Sequence, residues 1–105
     1  MSKNHSIVIT TYSGKETGTK IIDALLAARL AACVQVLPIR SFYTWKGRIS
    51  RDRENLVLIK AKSKDFEDIK RVILKNHDYK VPEIISVRIA KGLAGYLAWI
   101  DRVTK

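Results

Sequence analysis

The chain has a single cysteine, Cys33, so no disulfide can form within one copy. This scarcity fits a reducing compartment, and we expect a cytoplasmic protein. No apolar run reaches the about eighteen residues that a transmembrane helix needs, so a membrane is not expected as a partner. The amino-terminal segment MSKNHSIVIT has neither the apolar core nor the cleavage site of a secretory signal.

Motifs for catalysis and for closed metal sites are also missing. The sequence contains no G-x-S-x-G, CxxC, HxxxH or HExxH pattern and no Gly-rich phosphate loop, so it does not predict an enzyme. Acidic residues number 10 against 20 basic ones, which gives a net charge of +10. The basic residues are spread along the chain, which favours a soluble basic surface over a nucleic-acid interface.

What the chain does have is a long stretch, residues 33–62, that predicts a β-hairpin. Its two arms are rich in β-branched and aromatic residues, and Lys46 and Gly47 between them suit a tight turn. Pro38 interrupts the first arm, which predicts an edge strand, a bulge or a break there. We expect the arm to run as two pieces, with residues 39–46 as the second.

The second arm of this hairpin is apolar on both faces. Side chains alternate along a strand, so Val57 and Ile59 point to one face while Leu56 and Leu58 point to the other. Helices on one side of a sheet cover only one of these faces. The alternative cover is a short helix at the end of the chain, but about ten residues are too few to cover the whole of the other face. We therefore expect that face to pack against further copies of the chain.

The remaining segments complete a β-α-β-β-α-β order with a terminal helix. A strand is predicted at 7–11, followed by a helix from a Ser13 and Glu16 capping box to about Ala31. A second helix capped by Ser63 runs to Asp78, a strand covers 84–90, and a short helix covers 93–100. This order predicts one α+β domain over 1–105, a ferredoxin-like sandwich with strands 7–11 and 56–62 in the centre. Neither central strand holds an aromatic side chain, so an RNA-binding module is not expected.

Few residues are candidates for chemistry. Cys33 lies at a helix–strand junction and is either a buried small hydrophobe or a soft metal ligand. His77, at the end of a helix, is either a dipole partner, a core histidine or a ligand. Glu54 and Glu83 are the two acids in notable positions, where they either pair with neighbours or face solvent.

Several motifs together resemble one family. LAACVQVLPIRSFYTWKGRI, LIKAK, HDYKVPEI and GYLAWI are similar to the CutA family of divalent-cation tolerance proteins, nearly end to end. The resemblance implies a ferredoxin-like homotrimer, without enzymatic activity, that responds to and binds divalent cations such as Cu(II) in the cytoplasm. It also implies that His77 is a metal ligand. The inter-subunit pocket that it implies is lined by Trp45, Glu54, Lys60, Tyr79 and Glu83.

The sequence departs from the family pattern near this site. Thr10 stands where some members carry a Cys, Asn76 precedes the lone His77, and Asp78 replaces a frequent Pro. A single histidine with carboxylates predicts a weaker and less selective cation site. An alternative function is a trimeric sensor of an anionic metabolite, with Lys60 and His77 receiving the anion in clefts between subunits.

Overall fold

The computed structural model describes residues 4–105, so the first three residues of MSKNHSIVIT lie outside it. In this described part of the chain, three α-helices accompany one four-stranded antiparallel sheet of order β2-β3-β1-β4. The strands are β1 (His5–Tyr12), β2 (Cys33–Trp45), β3 (Arg48–Lys62) and β4 (Ile84–Arg88). The helices are α1 (Lys15–Ala27), α2 (Phe66–Asn76) and α3 (Ala94–Val103), and a short 3₁₀ turn, Ser63–Asp65, precedes α2. The predicted α+β class and the two central strands are confirmed.

The core lies between one face of the sheet and the helices α1 and α2. Val57 and Ile59 of β3 are fully buried there, as the alternation predicted. The helices contribute the apolar residues of their inner faces, which are Ile21, Leu25, Ile69 and Ile73, each at 0% exposure. Helices α1 and α2 therefore lie on one side of the sheet, and the opposite face carries the other set of side chains.

The hairpin runs without interruption from Cys33 to Lys62. Lys46 (φ 50°) and Gly47 (φ 74°) both have positive φ, which is the type I′ turn that matches strand twist. The pairing of β2 with β3 continues through Pro38, opposite Asn55, so the predicted division of the first arm into two pieces is wrong. Since β2 is an edge strand, a residue without an N–H donor is tolerated in it.

The start of α1 differs from the prediction. Gly14 is the N-cap, so the Ser13 and Glu16 capping box is wrong, and the Ser13 hydroxyl lies 2.5 Å from the Tyr79 hydroxyl instead. Gly18 in the first turns is buried against the Tyr12 ring, which occupies the place that a Cβ at position 18 would take. A glycine there permits close packing of the helix on β1.

The end of α1 also comes earlier than predicted, at Ala27 rather than near Ala31. Arg29 has φ 56°, and the backbone bonds Arg29 N to Leu26 O and Leu30 N to Leu25 O form a Schellman motif. The motif turns the chain back toward the sheet. Its Leu30 side chain joins the core at 3% exposure.

The later elements of the chain contact the first residues of β1. Ser63, predicted as a helix cap, lies in the 3₁₀ turn, and its hydroxyl bonds the Ser6 hydroxyl at 2.5 Å. Helix α3 buries Ile100 completely, and the His5 ring meets the Asp101 carboxylate at 3.0 Å. Within residues 4–105, none of the helices has the length and apolar character to cross a membrane.

Candidate functional site

His77 follows α2 directly and turns its ring inward. Its Nε2 lies 2.7 Å from the Thr11 carbonyl oxygen, and its Nδ1 accepts the Tyr79 backbone N–H at 3.1 Å. Because Nδ1 accepts a hydrogen bond, the ring proton lies on Nε2 and is donated to Thr11. The side chain is fully buried, at 0% exposure. The Nε2 bond therefore joins the end of α2 to β1, the Nδ1 bond fixes the turn that leads to Tyr79, and a metal ion can bind the ring only if one of these bonds breaks.

Tyr79 connects this histidine to a carboxylate. Its ring lies 4.5 Å from the His77 ring, centroid to centroid, and its hydroxyl donates to Glu54 Oε2 at 3.0 Å. Since that proton is committed to Glu54, the Ser13 hydroxyl donates to the Tyr79 oxygen. Burial raises the pKa of Tyr79; the bond to Glu54 also raises this pKa, while the bond from Ser13 lowers it. The predicted site residues His77, Tyr79 and Glu54 thus form one cluster.

The other predicted pocket residues lie elsewhere. Lys60 and Glu54 are six residues apart on β3, a separation of about 20 Å along a strand. Trp45 pairs with Arg48 at the hairpin tip, also about 20 Å from Glu54 but in the opposite direction. Glu83 is exposed just before β4. One chain therefore does not bring the six predicted residues together, and their shared role stays a prediction.

Cys33 and His77 do not meet either. Cys33 of β2 lies opposite Lys60 of β3. His77 bonds Thr11 of β1, which lies opposite Leu56 of β3, four residues from Lys60. That spacing is about 14 Å along the strand. Within residues 4–105, no group of three or more His, Cys, Asp or Glu residues is arranged to hold a metal ion. The donor set of a single chain does not fit a resident metal cofactor.

A groove of about 510 Å³ opens beside the Tyr79 cluster. Its lining comes from the loop before α1 and from facing parts of β2 and β3: Ser13, Pro38, Ile39, Arg40, Arg53, Glu54 and Asn55. The sequence interpretation named only Glu54 among these as a site residue. Counting back from the Lys46–Gly47 turn would have found that Arg40 and Arg53 lie opposite each other.

A second tyrosine–carboxylate contact lies further out on the hairpin. The Tyr43 hydroxyl donates to the Asp52 carboxylate, and this hydrogen bond raises the pKa of Tyr43 to about 12. Burial and the negative charges of Asp52 and Glu54 add to the shift. The two acids therefore lie near enough to Tyr43 for their charges to reach its hydroxyl.

Comparison with known proteins gives a consistent result. The family model described as "CutA1 divalent ion tolerance protein" matches residues 6–103. "Divalent-cation tolerance protein CutA" of Thermus thermophilus is 38% identical over 99 residues, covering 93% of this chain and 96% of that protein. "Protein CutA, chloroplastic" of Arabidopsis thaliana is 35% identical over 100 residues, covering 94% of this chain.

The solved structures agree in fold. The structure described as "Periplasmic divalent cation tolerance protein CutA from Archaeoglobus fulgidus" superposes with a TM-score of 0.92 at 33% identity, covering 96% of this chain and 99% of that one. The chain spans nearly the whole of this archaeal relative but only 55% of the Arabidopsis protein. The names of these two proteins place one in the periplasm and the other in the chloroplast, and a cytoplasmic location for this chain stays a prediction.

Proposed function

Because the chain belongs to the CutA1 divalent ion tolerance protein family, we propose that it acts as a non-enzymatic homotrimer that binds divalent cations such as copper and takes part in the response to them. The observation that carries this proposal is the sheet face opposite the helices. It is apolar, it is partly exposed in a single chain, and it is continuous across three strands.

The rungs of the sheet define this face. Leu58 of β3 pairs with Ile9 of β1, and Ile9 pairs in turn with Ile85 of β4. Two residues earlier on β1, Ile7 pairs with Val87 of β4. Paired residues share a face, so these apolar side chains form one surface. Ile85 and Val87 are each 49% exposed. Contiguous apolar surfaces of this kind mark association sites, and sheets of further copies fit it by face-to-face packing.

The cation enters this proposal as a ligand of the assembly. One chain offers Glu54 and, after loss of a hydrogen bond, His77, and these groups alone do not complete a coordination shell. Glu83 is exposed before β4, where a neighbouring subunit can reach it. An ion held by donors from two subunits would depend on assembly, so binding and oligomeric state should be lost together.

Two measurements test the proposal. Light scattering should give about three times the 11.9 kDa of one chain. Calorimetric titration of the metal-stripped protein with Cu(II) should give saturable heat, which His77→Ala and Glu54→Gln reduce. A monomer at micromolar concentration would contradict the assembly, and unchanged Cu(II) heat in both variants would contradict the assigned donors.

A second candidate function, sensing of an anionic metabolite, has its own supporting observation. Lys60 lies on the apolar sheet face and donates to the Gln35 side-chain oxygen rather than to a carboxylate. A cation with a neutral partner is available to an anion from a neighbouring subunit. This function predicts no Cu(II) heat and saturable binding of an anion that Lys60→Met removes.

A further inference from the structure

Arg40 and Arg53 lie directly opposite each other on neighbouring strands. They are paired in the β2–β3 register, which brings their Cβ atoms to about 5 Å from each other on one face of the hairpin. Like charges in directly opposed positions destabilise a strand pair. The structure thus places two arginine side chains at opposed positions on one face of the hairpin, where an opposite charge is expected to lie nearby.

Within residues 4–105, no carboxylate lies in direct contact with either of these two arginines. The ion pairs there involve other cations. Arg40 contacts the Phe42 ring, 5.7 Å from its centroid, which orients the side chain without neutralising it. Glu54 follows Arg53 in sequence, but its carboxylate accepts the Tyr79 hydroxyl.

Both arginines line the groove of about 510 Å³, a size within the range of small-molecule sites. Ser13 and Asn55 also line the groove. The Asn55 amide can donate hydrogen bonds to a ligand, whereas the Ser13 hydroxyl proton is already donated to Tyr79. Planar guanidinium groups bind carboxylate and phosphate in a fork geometry. We propose that this groove is a binding site for a small organic anion that carries a carboxylate or phosphate group, held between Arg40 and Arg53.

The lining also limits the size of the ligand. Glu54 lines the groove with its negative charge and repels a second anionic group placed near Tyr79. A compact anion therefore fits better than an extended polyanion. All of these residues belong to one chain, so the site does not require a neighbouring subunit. Glu54 is shared with the proposed metal donors, but the anion is held by Arg40 and Arg53, which are not among them.

The test is a titration of the isotope-labelled full chain, followed by nuclear magnetic resonance, in metal-stripped buffer of low ionic strength. Inorganic phosphate and succinate serve as separate probes. The probe that binds with the higher affinity shows whether the groove prefers a phosphate or a carboxylate group. We expect saturable shifts at the Ser13 and Asn55 amides. Arg40→Gln and Arg53→Gln should each weaken binding by about tenfold or more, the size expected for losing a charge-assisted contact.

Arg88→Gln is the matched control, because Arg88 is an exposed arginine on β4, the opposite edge of the sheet. It should change the affinity by less than about twofold, since it removes the same net charge away from the groove. Equal weakening by Arg88→Gln, or the absence of saturable shifts at Ser13 and Asn55, would overturn the site. Cu(II) binding is measured separately, so either proposal can fail while the other stands.

Thermal unfolding gives a second readout. In anion-free buffer Arg53→Gln should melt at a higher temperature than the parent chain, because it relieves the repulsion from Arg40. Phosphate should raise the melting temperature of the parent chain and leave that of Arg53→Gln nearly unchanged. A variant that melts lower without anion and gains as much from phosphate as the parent would refute the opposed pair as the binding site.

Discussion

Leu58→Asp is the substitution that tests the apolar sheet face most directly. Leu58 sits at the middle of that face, between Ile9 on one neighbouring strand and Gln35 on the other. Its backbone neighbours Val57 and Ile59 point into the core and are fully buried. The change therefore alters the proposed surface between subunits and leaves the core packing of each chain in place.

The expected effect is large because every subunit carries the same change. Burying one leucine side chain contributes about 1.5–3 kcal/mol, and this is lost in each of three copies. An aspartate placed against a second sheet without a partner costs several kcal/mol more per copy, unless it takes up a proton. The sum for a trimer is roughly 15–25 kcal/mol, which exceeds the roughly 12 kcal/mol of a nanomolar association.

The assay is light scattering on the purified variant, with far-ultraviolet circular dichroism to follow folding. We expect a mass near the 11.9 kDa of one chain with the sheet and helix signal retained. Leu74→Asp is the control, since Leu74 is 47% exposed on α2 and should tolerate the change without loss of assembly. Leu58→Asn gives a neutral version in case the aspartate prevents folding. A folded trimer of Leu58→Asp would refute the shared apolar face.

Three further predictions concern single elements. Gly18→Ala should lower the free energy of unfolding by about 1–2 kcal/mol in denaturant titration, because overlap of its Cβ with the Tyr12 ring outweighs the gain in helix propensity; an unchanged midpoint would contradict this packing. Arg29→Gly should raise the same free energy by up to about 1 kcal/mol, because φ 56° is strained for arginine and not for glycine. In ultraviolet titration one tyrosine should ionise near pH 12, and Asp52→Asn should return it toward 10.0, since the carboxylate of Asp52 raises the pKa of Tyr43. Because the pKa of Tyr43 is raised in the folded chain, its contribution to stability is present below pH 10 and is lost as the pH rises toward 12. In Asp52→Asn the loss of stability over this pH range should be smaller.

The alternation of side chains let the sequence predict the sheet well. The pattern of Leu56 to Ile59 identified a strand with two apolar faces, and the structure buries Val57 and Ile59 while leaving Leu56 and Leu58 partly covered. The Lys46–Gly47 pair identified the turn, since positive φ at both positions restricts the residues there. Local rules suffice for such features because the groups that decide them are close in sequence.

Hydrogen bonds between distant residues were beyond the same rules. Ser13 and Ser63 both have the local spacing of helix caps, yet each hydroxyl bonds a residue far along the chain: Tyr79, 66 positions away, and Ser6, 57 positions away. A hydroxyl takes the partner that the fold provides, and capping is only one of the choices. The prediction failed at these serines because each hydroxyl bonds a distant residue that the fold brings close, in place of the local capping bond.

The candidate site divides in the same way. Glu54 and Tyr79 were both predicted, and their contact crosses 25 positions of sequence. Arg40 and Arg53 were within reach of a sequence argument, because a two-residue turn fixes the register of the whole hairpin. Their importance depends on the missing carboxylate partner, which only the folded chain reveals.

The predicted inter-subunit pocket and the groove between Arg40 and Arg53 should respond differently when the subunits dissociate. Lys60 and the hairpin tip with Trp45 lie about 20 Å from Glu54 in opposite directions, so any ligand that needs all three requires more than one chain. The groove between Arg40 and Arg53 is lined by one chain alone. A monomeric Leu58→Asp variant should therefore lose ligand binding that depends on the shared pocket and keep phosphate or succinate binding in the groove. Loss of both activities would mean that the groove also takes its form from a neighbouring subunit.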